Sequence, residues 1–211
     1  MAFAALRRQL NDLWEQSWFD PEHLERVLLD RALQDCRPYA RGLLLDVGCG
    51  QRRHDSIFLP VVRRYIGLDY PPVSTAVWAA AGGARGVDVG ADGQHLPIAS
   101  ESVDTVLCTQ VLEHVAEPAQ LMGELARVLK PGGHAIITAP QEWGVHQEPY
   151  DFFRYTRYGL THLAEQAGLR VLFVRNRGGF WAMMGQRWSA YLYDSVCRPL
   201  RRSGRRAAFL L

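Results

Sequence analysis

LLLDVGCGQRRHD, residues 43–55, is the stretch of sequence that decides the fold. Its apolar run is typical of a buried strand in a parallel sheet, and Gly48 and Gly50 follow it directly. Glycine accepts positive φ and lets backbone amides approach a ligand closely. A dinucleotide fingerprint would need a third glycine at position 53, where this chain has Arg53. The stretch therefore predicts a ligand loop after a buried strand and disfavours a nicotinamide dinucleotide as the ligand.

Short apolar runs recur along the chain and alternate with helical or irregular segments. We predict further strands at 64–69, 86–89, 103–108, 134–139 and 169–174. The clearest helices run from Pro118 to Leu129 and from Thr156 to Ala167, the second with Gly168 as its C-cap. Strands that alternate with helices predict an α/β fold with a doubly wound, mostly parallel sheet. The crossover after Gly50 is short and contains Pro60, so we expect a stunted first helix there.

The 211 residues are enough for a single domain, which we divide into four regions. These are N-terminal helices at 1–38, a cofactor-binding core at 43–140, a substrate-side segment at 141–175 and a C-terminal aromatic and basic helical region at 176–211. In the first region we expect a helix at 3–18, and a second with Asp20 as its N-cap and Pro21 at its first position.

Composition and charge narrow the class of protein. Hydrophobic residues make up 48% of the chain and the net charge is +2, so bulk charge favours no particular partner. The four cysteines are scattered without metal-ligand spacing, which predicts reduced thiols and no metal site. The first 30 residues have no secretory h-region, so we expect a cytoplasmic protein. No basic stripe with stacking aromatics is present, which argues against nucleic-acid binding.

An acid closes or follows each of the first three predicted strands. Asp46, Asp69 and Asp92 occupy these positions, and the carboxyl ends of parallel strands meet at the same edge of the sheet. A lone aspartate there is commonly a cap or turn residue. Three in succession favour a shared binding site, in which a carboxylate could accept both hydroxyls of a ribose.

The motif series resembles the class I S-adenosylmethionine-dependent methyltransferases, in particular the type 11 group. The similar segments, in order, are LLLDVGCG, IGLDY, ADGQHLPI, SVDTVLCTQVLEHV and LARVLKPGGHAIITAP. The resemblance implies a Rossmann-like sheet and S-adenosyl-L-methionine as the cofactor. This cofactor has no pyrophosphate, which agrees with a loop that lacks the third glycine. Relatives also have a seventh, antiparallel strand; no convincing candidate follows Val174, so either the strand is absent or the sequence stops before it, and we favour the second.

The resemblance also implies a role for individual residues. Asp46, Gly48 and Gly50 would border the methionine part of the cofactor, and Asp69 would hold its ribose. The remaining cofactor residues would be Tyr70 beside the adenine, Asp92 with Gly93 at the adenine edge, and Gln110 across the bound cofactor. The family's Glu-His pair is present as Glu113 and His114, for which we favour a structural role over a catalytic one.

The segment after the fifth predicted strand, 141–158, is dense in aromatic and ionisable groups. His146 is the candidate base, with Asp151 as its orienter or as a substitute base. Alternatively, His146 pins the loop by hydrogen bonds. Arg154 either pairs with Asp151 or binds an anionic substrate group. For Tyr155 and Thr156 we expect packing and helix N-capping.

The C-terminal stretch 180–206 combines large aromatic residues with a run of five arginines between positions 198 and 206. Such a pattern suits peripheral contact with a membrane surface or a lipid-linked substrate. A lid helix over the acceptor pocket with a solvated basic tail explains the same residues, and the two interpretations can coexist.

These observations predict a methyltransferase that acts on a small molecule or on a cell-envelope sugar or lipid, with oxygen as the favoured acceptor atom. The alternative is a cofactor-binding module without catalysis, which serves as a regulator or partner subunit. The oligomeric state is not encoded in any motif of the sequence.

Overall fold

A parallel sheet of five strands organises the protein. The structure is a computed structural model that describes residues 22–70, 86–193 and 195. The strands are β1 (Leu43–Val47), β2 (Arg64–Asp69), β3 (Val89–Gly90), β4 (Val103–Thr109) and β5 (Leu129–Thr138). Their order across the sheet is β3-β2-β1-β4-β5, and all neighbours are parallel. The doubly wound α/β prediction is therefore confirmed, with the topological switch point between β1 and β4.

Five α-helices occur in the described part of the chain. They are α1 (His23–Cys36), α2 (Asp55–Phe58), α3 (Pro118–Val128), α4 (Arg157–Gln166) and α5 (Phe180–Leu192), with short 3₁₀ helices at Arg37–Tyr39 and Leu112–His114. The four-residue α2 confirms the stunted first crossover helix. Thr156 Oγ1 accepts a hydrogen bond from Gly159 N, and Gly168 has φ +80°, so both predicted caps of α4 are confirmed.

The core lies between the sheet and its helices. Leu121, Leu125 and Val128 recur at helical spacing on α3 and are fully buried. They belong to one hydrophobic cluster with Leu45 of β1 and Val106 of β4. Because the central strands are buried on both faces, their continuous apolar runs are explained by the packing.

Two strand predictions need correction. The run at 86–89 contributes only the short β3, and the run at 169–174 forms no strand. Leu172, Phe173 and Val174 in the latter are exposed. An apolar run becomes a strand only when a neighbour completes its hydrogen bonds, and within the described residues β5 pairs only with β4. No antiparallel strand occurs in this part of the chain either.

Contacts divide the chain into two compact units, one of residues 33–175 and one of 1–32 with 176–211. The first contains the sheet. In the second, Arg177 Nη1 donates to Glu25 Oε1 over 2.6 Å, and Gly178 packs close to Leu28. The predicted helix at 3–18, the Asp20 cap and the five arginines after residue 197 lie outside the described residues. No helix in the described part of the chain has the length and apolarity needed to cross a membrane.

Candidate functional site

The loop after β1 is held to the end of β2 by Asp69. Its Oδ2 accepts a hydrogen bond from Gly50 N over 2.8 Å, and its Oδ1 accepts one from Tyr70 N over 2.7 Å. Burial raises the pKa of the Asp69 carboxyl, although these two hydrogen bonds oppose the shift. The structure thus brings together three of the residues predicted to bind the cofactor.

The two glycines of the loop serve different purposes. Both have positive φ, +75° at Gly48 and +52° at Gly50. A Cβ at Gly48 would collide with the side chain of Val111, whereas a Cβ at Gly50 would meet no atom within 4 Å. Glycine is therefore favoured at position 48 by its positive φ and by the close approach of Val111. At position 50 only the positive φ favours glycine, and the space beside it is open.

Asp46 lies inside β1 and is 1% exposed. The Tyr65 hydroxyl donates to its Oδ2, while its Oδ1 has no hydrogen-bond partner within the described residues. Burial raises the pKa of Asp46 to about 7, and the nearby Asp69 charge adds to the increase. Because a buried carboxylate oxygen without a donor is costly, Asp46 has the properties of a group that a ligand donor would satisfy.

Arg52 also holds this loop in place, a role that no motif of the sequence indicated. Its Nη2 donates to Tyr65 O over 3.0 Å and to Asp88 Oδ2 over 2.6 Å, and its guanidinium lies over the Tyr65 ring. Asp88 Oδ2 also accepts from Gly67 N over 2.8 Å. Arg52 thus connects the β1 loop to β2 and to the residues before β3.

Asp92 and Gly93 follow the end of β3. Asp92 Oδ1 accepts from Gln94 N over 2.9 Å, which is the geometry of an Asx turn. A Cβ at Gly93 would lie 3.0 Å from Leu121 and 3.3 Å from Val47, so glycine allows these two core side chains to approach closely. The adenine contacts of Asp92 and Gly93 stay predictions.

Gln110 joins the ends of β4 and β5. Its backbone N donates to Thr138 O and its Nε2 to Thr138 Oγ1, each over 3.0 Å, with a φ of +53° at Gln110. A left-handed conformation for a non-glycine residue is costly. Gln110 is therefore held in place at the switch-point edge, as a residue that faces a ligand would need to be.

On the predicted substrate side, Asp151 is the centre of a charged network. Arg154 Nη1 and Nη2 donate to its two oxygens over 2.7 and 2.8 Å, and His146 N donates to its Oδ2 over 2.9 Å. The Arg154 hydrogen bonds hold the pKa of the Asp151 carboxyl far below its usual range. The predicted Asp151–Arg154 ion pair is therefore confirmed, and Asp151 is a poor proton acceptor.

His146 is oriented by this network. Its Nδ1 lies 3.1 Å from Gly144 O and 3.3 Å from Asp151 Oδ2. A carbonyl oxygen only accepts, so we infer that Nδ1 carries the proton and that Nε2 has the free lone pair. Asp151 has the position of an orienter, and His146 both pins the loop and offers a basic nitrogen.

The substrate-side loop is tied to the 3₁₀ helix that follows β4, Leu112–His114. Glu113 O accepts from Phe152 N over 2.8 Å and from Phe153 N over 3.3 Å. His114 Nδ1 lies 2.5 Å from Tyr150 O, and the buried Tyr155 donates its hydroxyl proton to Leu112 O over 2.9 Å. These contacts agree with the predicted structural role of the Glu-His pair and with the predicted packing role of Tyr155.

Comparison with known proteins agrees with this geometry. Residues 45–137 match the family described as "Methyltransferase domain". An "Uncharacterized methyltransferase" of Mycobacterium ulcerans is 42% identical over 136 residues, which cover 64% of this chain and 51% of that protein. A "Probable S-adenosylmethionine-dependent methyltransferase" of Mycolicibacterium smegmatis is 30% identical over 170 residues, covering 78% and 64%. The chain spans about half the length of the first curated relatives that it matches.

A solved structure from Thermotoga maritima has the same fold. It is described as a SAM-dependent methyltransferase, possible histamine N-methyltransferase. Its TM-score is 0.54 at 23% identity, and the match covers 76% of this chain and 77% of that one.

The parallel sheet and its switch-point loop thus agree with the fold of the class I methyltransferases that the sequence resembles. Residues 45–137 of the chain match the methyltransferase domain family, which confirms the resemblance drawn from the sequence.

Proposed function

We propose that this protein transfers a methyl group from S-adenosyl-L-methionine to an oxygen of a small molecule or of a cell-envelope sugar or lipid. The observation that carries the proposal is the Asp151–His146 pair, which lies on a loop that main-chain bonds fasten to the 3₁₀ helix after β4. In the reaction the acceptor oxygen bonds to the methyl carbon while the sulfur–carbon bond breaks. S-adenosylhomocysteine leaves as a neutral thioether, so no general acid is needed.

The base follows from the tautomer of His146. The Nδ1 proton faces Gly144 O and Asp151, so Nε2 takes the hydroxyl proton of the acceptor. The Asp151 carboxylate then stabilises the imidazolium that forms. Asp151 stays ionised throughout because Arg154 holds its pKa low.

The cofactor residues are those at the ends of β1, β2 and β4. Asp46 Oδ1 is suited to accept from the amino group of the methionine part, and the open space at Gly50 admits that part of the ligand. Asp69 already accepts from Gly50 N, so its remaining lone pairs would accept from the ribose hydroxyls. Tyr70 is exposed and would lie against the adenine, with Asp92, Gly93 and Gln110 around the ring and the bound cofactor.

The experiment is release of S-adenosylhomocysteine from the purified chain with a cell extract as the acceptor source. We expect release with the parent protein and its loss in His146→Ala, with cofactor binding retained in calorimetry. His162→Ala, an exposed histidine of α4, is the matched control. Binding without any release across varied extracts would favour the alternative, a cofactor-binding module that acts as a regulator or partner subunit.

We propose in addition that α5 contacts a membrane surface. Trp181 is 83% exposed and Trp188 is 64% exposed, and Phe180 and Tyr191 are exposed with them. Aromatic side chains of this kind insert at the headgroup level, and the arginines that follow in the sequence favour anionic lipids. Co-sedimentation with anionic vesicles should fall in Trp181→Ser/Trp188→Ser. Equal sedimentation of parent and variant would contradict membrane contact through these two tryptophans. It would favour the alternative in which this region is a lid helix with a solvated basic tail.

A further inference from the structure

The geometry points to a divalent-cation site formed by Glu113, His114 and His146. One ligand atom from each residue lies within 4.8 Å of those of the other two. His146 is 32 positions from His114 along the chain, so spacing in the sequence hides the cluster, and we predicted no metal site there. The structure brings the three together because residues 150–153 are hydrogen-bonded to Glu113 and His114.

The tautomers of both histidines suit metal binding. His114 Nδ1 is 2.5 Å from Tyr150 O, and His146 Nδ1 is 3.1 Å from Gly144 O. Since carbonyl oxygens accept only, each Nδ1 carries a proton and each Nε2 presents a lone pair. Histidines that ligate a metal typically donate their other N–H to a carbonyl or carboxylate. Asp151 Oδ2, 3.3 Å from His146 Nδ1, adds a carboxylate behind one ligand.

The third ligand brings negative charge into a buried position. Glu113 is 1% exposed, and its Oε1 lies 3.9 Å from His114 Nε2. The nearby Arg154 cation is neutralised by its two hydrogen bonds to Asp151. Metal–nitrogen bonds of about 2.1 Å would draw the three ligand atoms roughly 1 Å closer together. A shift of that size is within the reach of two side chains that are partly exposed.

The donor set selects the class of ion. Two imidazoles and one carboxylate suit Zn²⁺, Co²⁺, Fe²⁺ or Mn²⁺, whereas Mg²⁺ and Ca²⁺ prefer oxygen ligands. The imidazole side chains of His114 and His146 are 15% and 29% exposed, so the site is open on one side. Three protein ligands would leave a coordination position for water or for the oxygen of an acceptor.

This site does not depend on methyl transfer by the chain. If both are present, the cation occupies His146 Nε2, and acidification of a hydroxyl bound to the metal takes the place of proton removal by the imidazole. The competing interpretation is that the His114 and His146 rings, whose centroids are 4.7 Å apart, only pack against each other.

The test is Co²⁺ titration of the full chain, purified without a histidine tag and stripped with a chelator, followed by visible absorption and by calorimetry with Zn²⁺. We expect one ion per chain. Because loss of an outer partner already weakens metal binding by about 10–100-fold, His146→Ala and His114→Ala should each weaken it at least 10-fold. His162→Ala, with its exposed imidazole, should bind like the parent.

Glu113 is buried, so its variants could fail to fold, and the test therefore depends on the two histidine variants. Circular dichroism shows that each variant is folded, and cofactor calorimetry on the same samples reports the methyltransferase site separately. Absence of one-to-one binding in the parent, or equal affinity in the parent and His146→Ala, overturns the metal site and leaves the proposed methyl transfer untouched.

Discussion

Asp69 Oδ2 accepts a hydrogen bond from Gly50 N over 2.8 Å, which joins the end of β2 to the loop after β1. The carboxylate expected to hold the ribose therefore also fixes the loop expected to border the methionine part. One side chain connects both halves of the proposed cofactor site, so its removal should affect the two halves together.

Asp69→Ala should abolish cofactor binding at practical concentrations. Two ribose hydrogen bonds to a charged acceptor would be lost, each worth about 1.5–3 kcal/mol, which corresponds to roughly a 100-fold or greater rise in Kd. Asp69→Asn keeps an acceptor for Gly50 N and should show a smaller rise. Calorimetry with S-adenosylhomocysteine measures both. Equal affinity in the parent and Asp69→Ala would contradict the ribose assignment.

His146→Ala should lower turnover by about 10²–10⁴-fold, the usual contribution of a general base, with little change in cofactor affinity. Product release measured beside the His162→Ala control checks this. Normal turnover in His146→Ala would contradict the role of His146 as the base.

Asp46→Asn should change how stability depends on pH. The pKa of Asp46 is raised from 3.8 to about 7 in the folded protein, so between pH 4 and 7 the folded state binds more protons than the unfolded state. The contribution of Asp46 to the free energy of unfolding is therefore greatest at low pH. It falls by a few kcal/mol as pH rises towards 7.

The Asn variant removes that charge and keeps an acceptor for the Tyr65 hydroxyl. Urea unfolding of both proteins from pH 4.5 to 8 should show a variant that gains on the parent as pH rises. A difference in unfolding free energy that stays constant with pH would show that burial does not perturb Asp46.

Gly67→Ala should destabilise the fold by about 1–3 kcal/mol. A Cβ there would lie 2.7 Å from Gly86 O and 2.8 Å from Cys49 Sγ, so backbone would have to move. Gly123→Ala in α3 is the matched control, since its Cβ meets no atom within 4 Å and alanine favours a helix by up to about 1 kcal/mol. Thermal unfolding compares the stability of the two variants. A similar loss of stability in both would rule out the steric explanation.

The sequence predicts a strand well where burial of that strand determines its apolar pattern. β1, β2 and β4 are mostly apolar and mostly buried, and burial on both faces favours that pattern. The run at 169–174 looks the same in the sequence but forms no strand, because strand formation also depends on a neighbouring edge.

In the candidate site, contacts between residues close in sequence were predicted, and contacts between distant residues were missed. Local signals predicted the Thr156 cap and the Asp151–Arg154 pair, whose members are close in sequence. Arg52 was missed because its partners are 13 and 36 positions away. The Glu113–His114–His146 cluster was missed for the same reason, since it forms only when the loop folds back onto the end of β4.

The bonds from Phe152 N and Phe153 N to Glu113 O use no side-chain atoms. Side chains on this loop can therefore be exchanged during evolution while the anchorage persists, because every residue type except proline supplies the same N–H. In the proposed methyl transfer, a loop anchored in this way would allow new acceptors to evolve without changes in the residues proposed to bind the methyl donor.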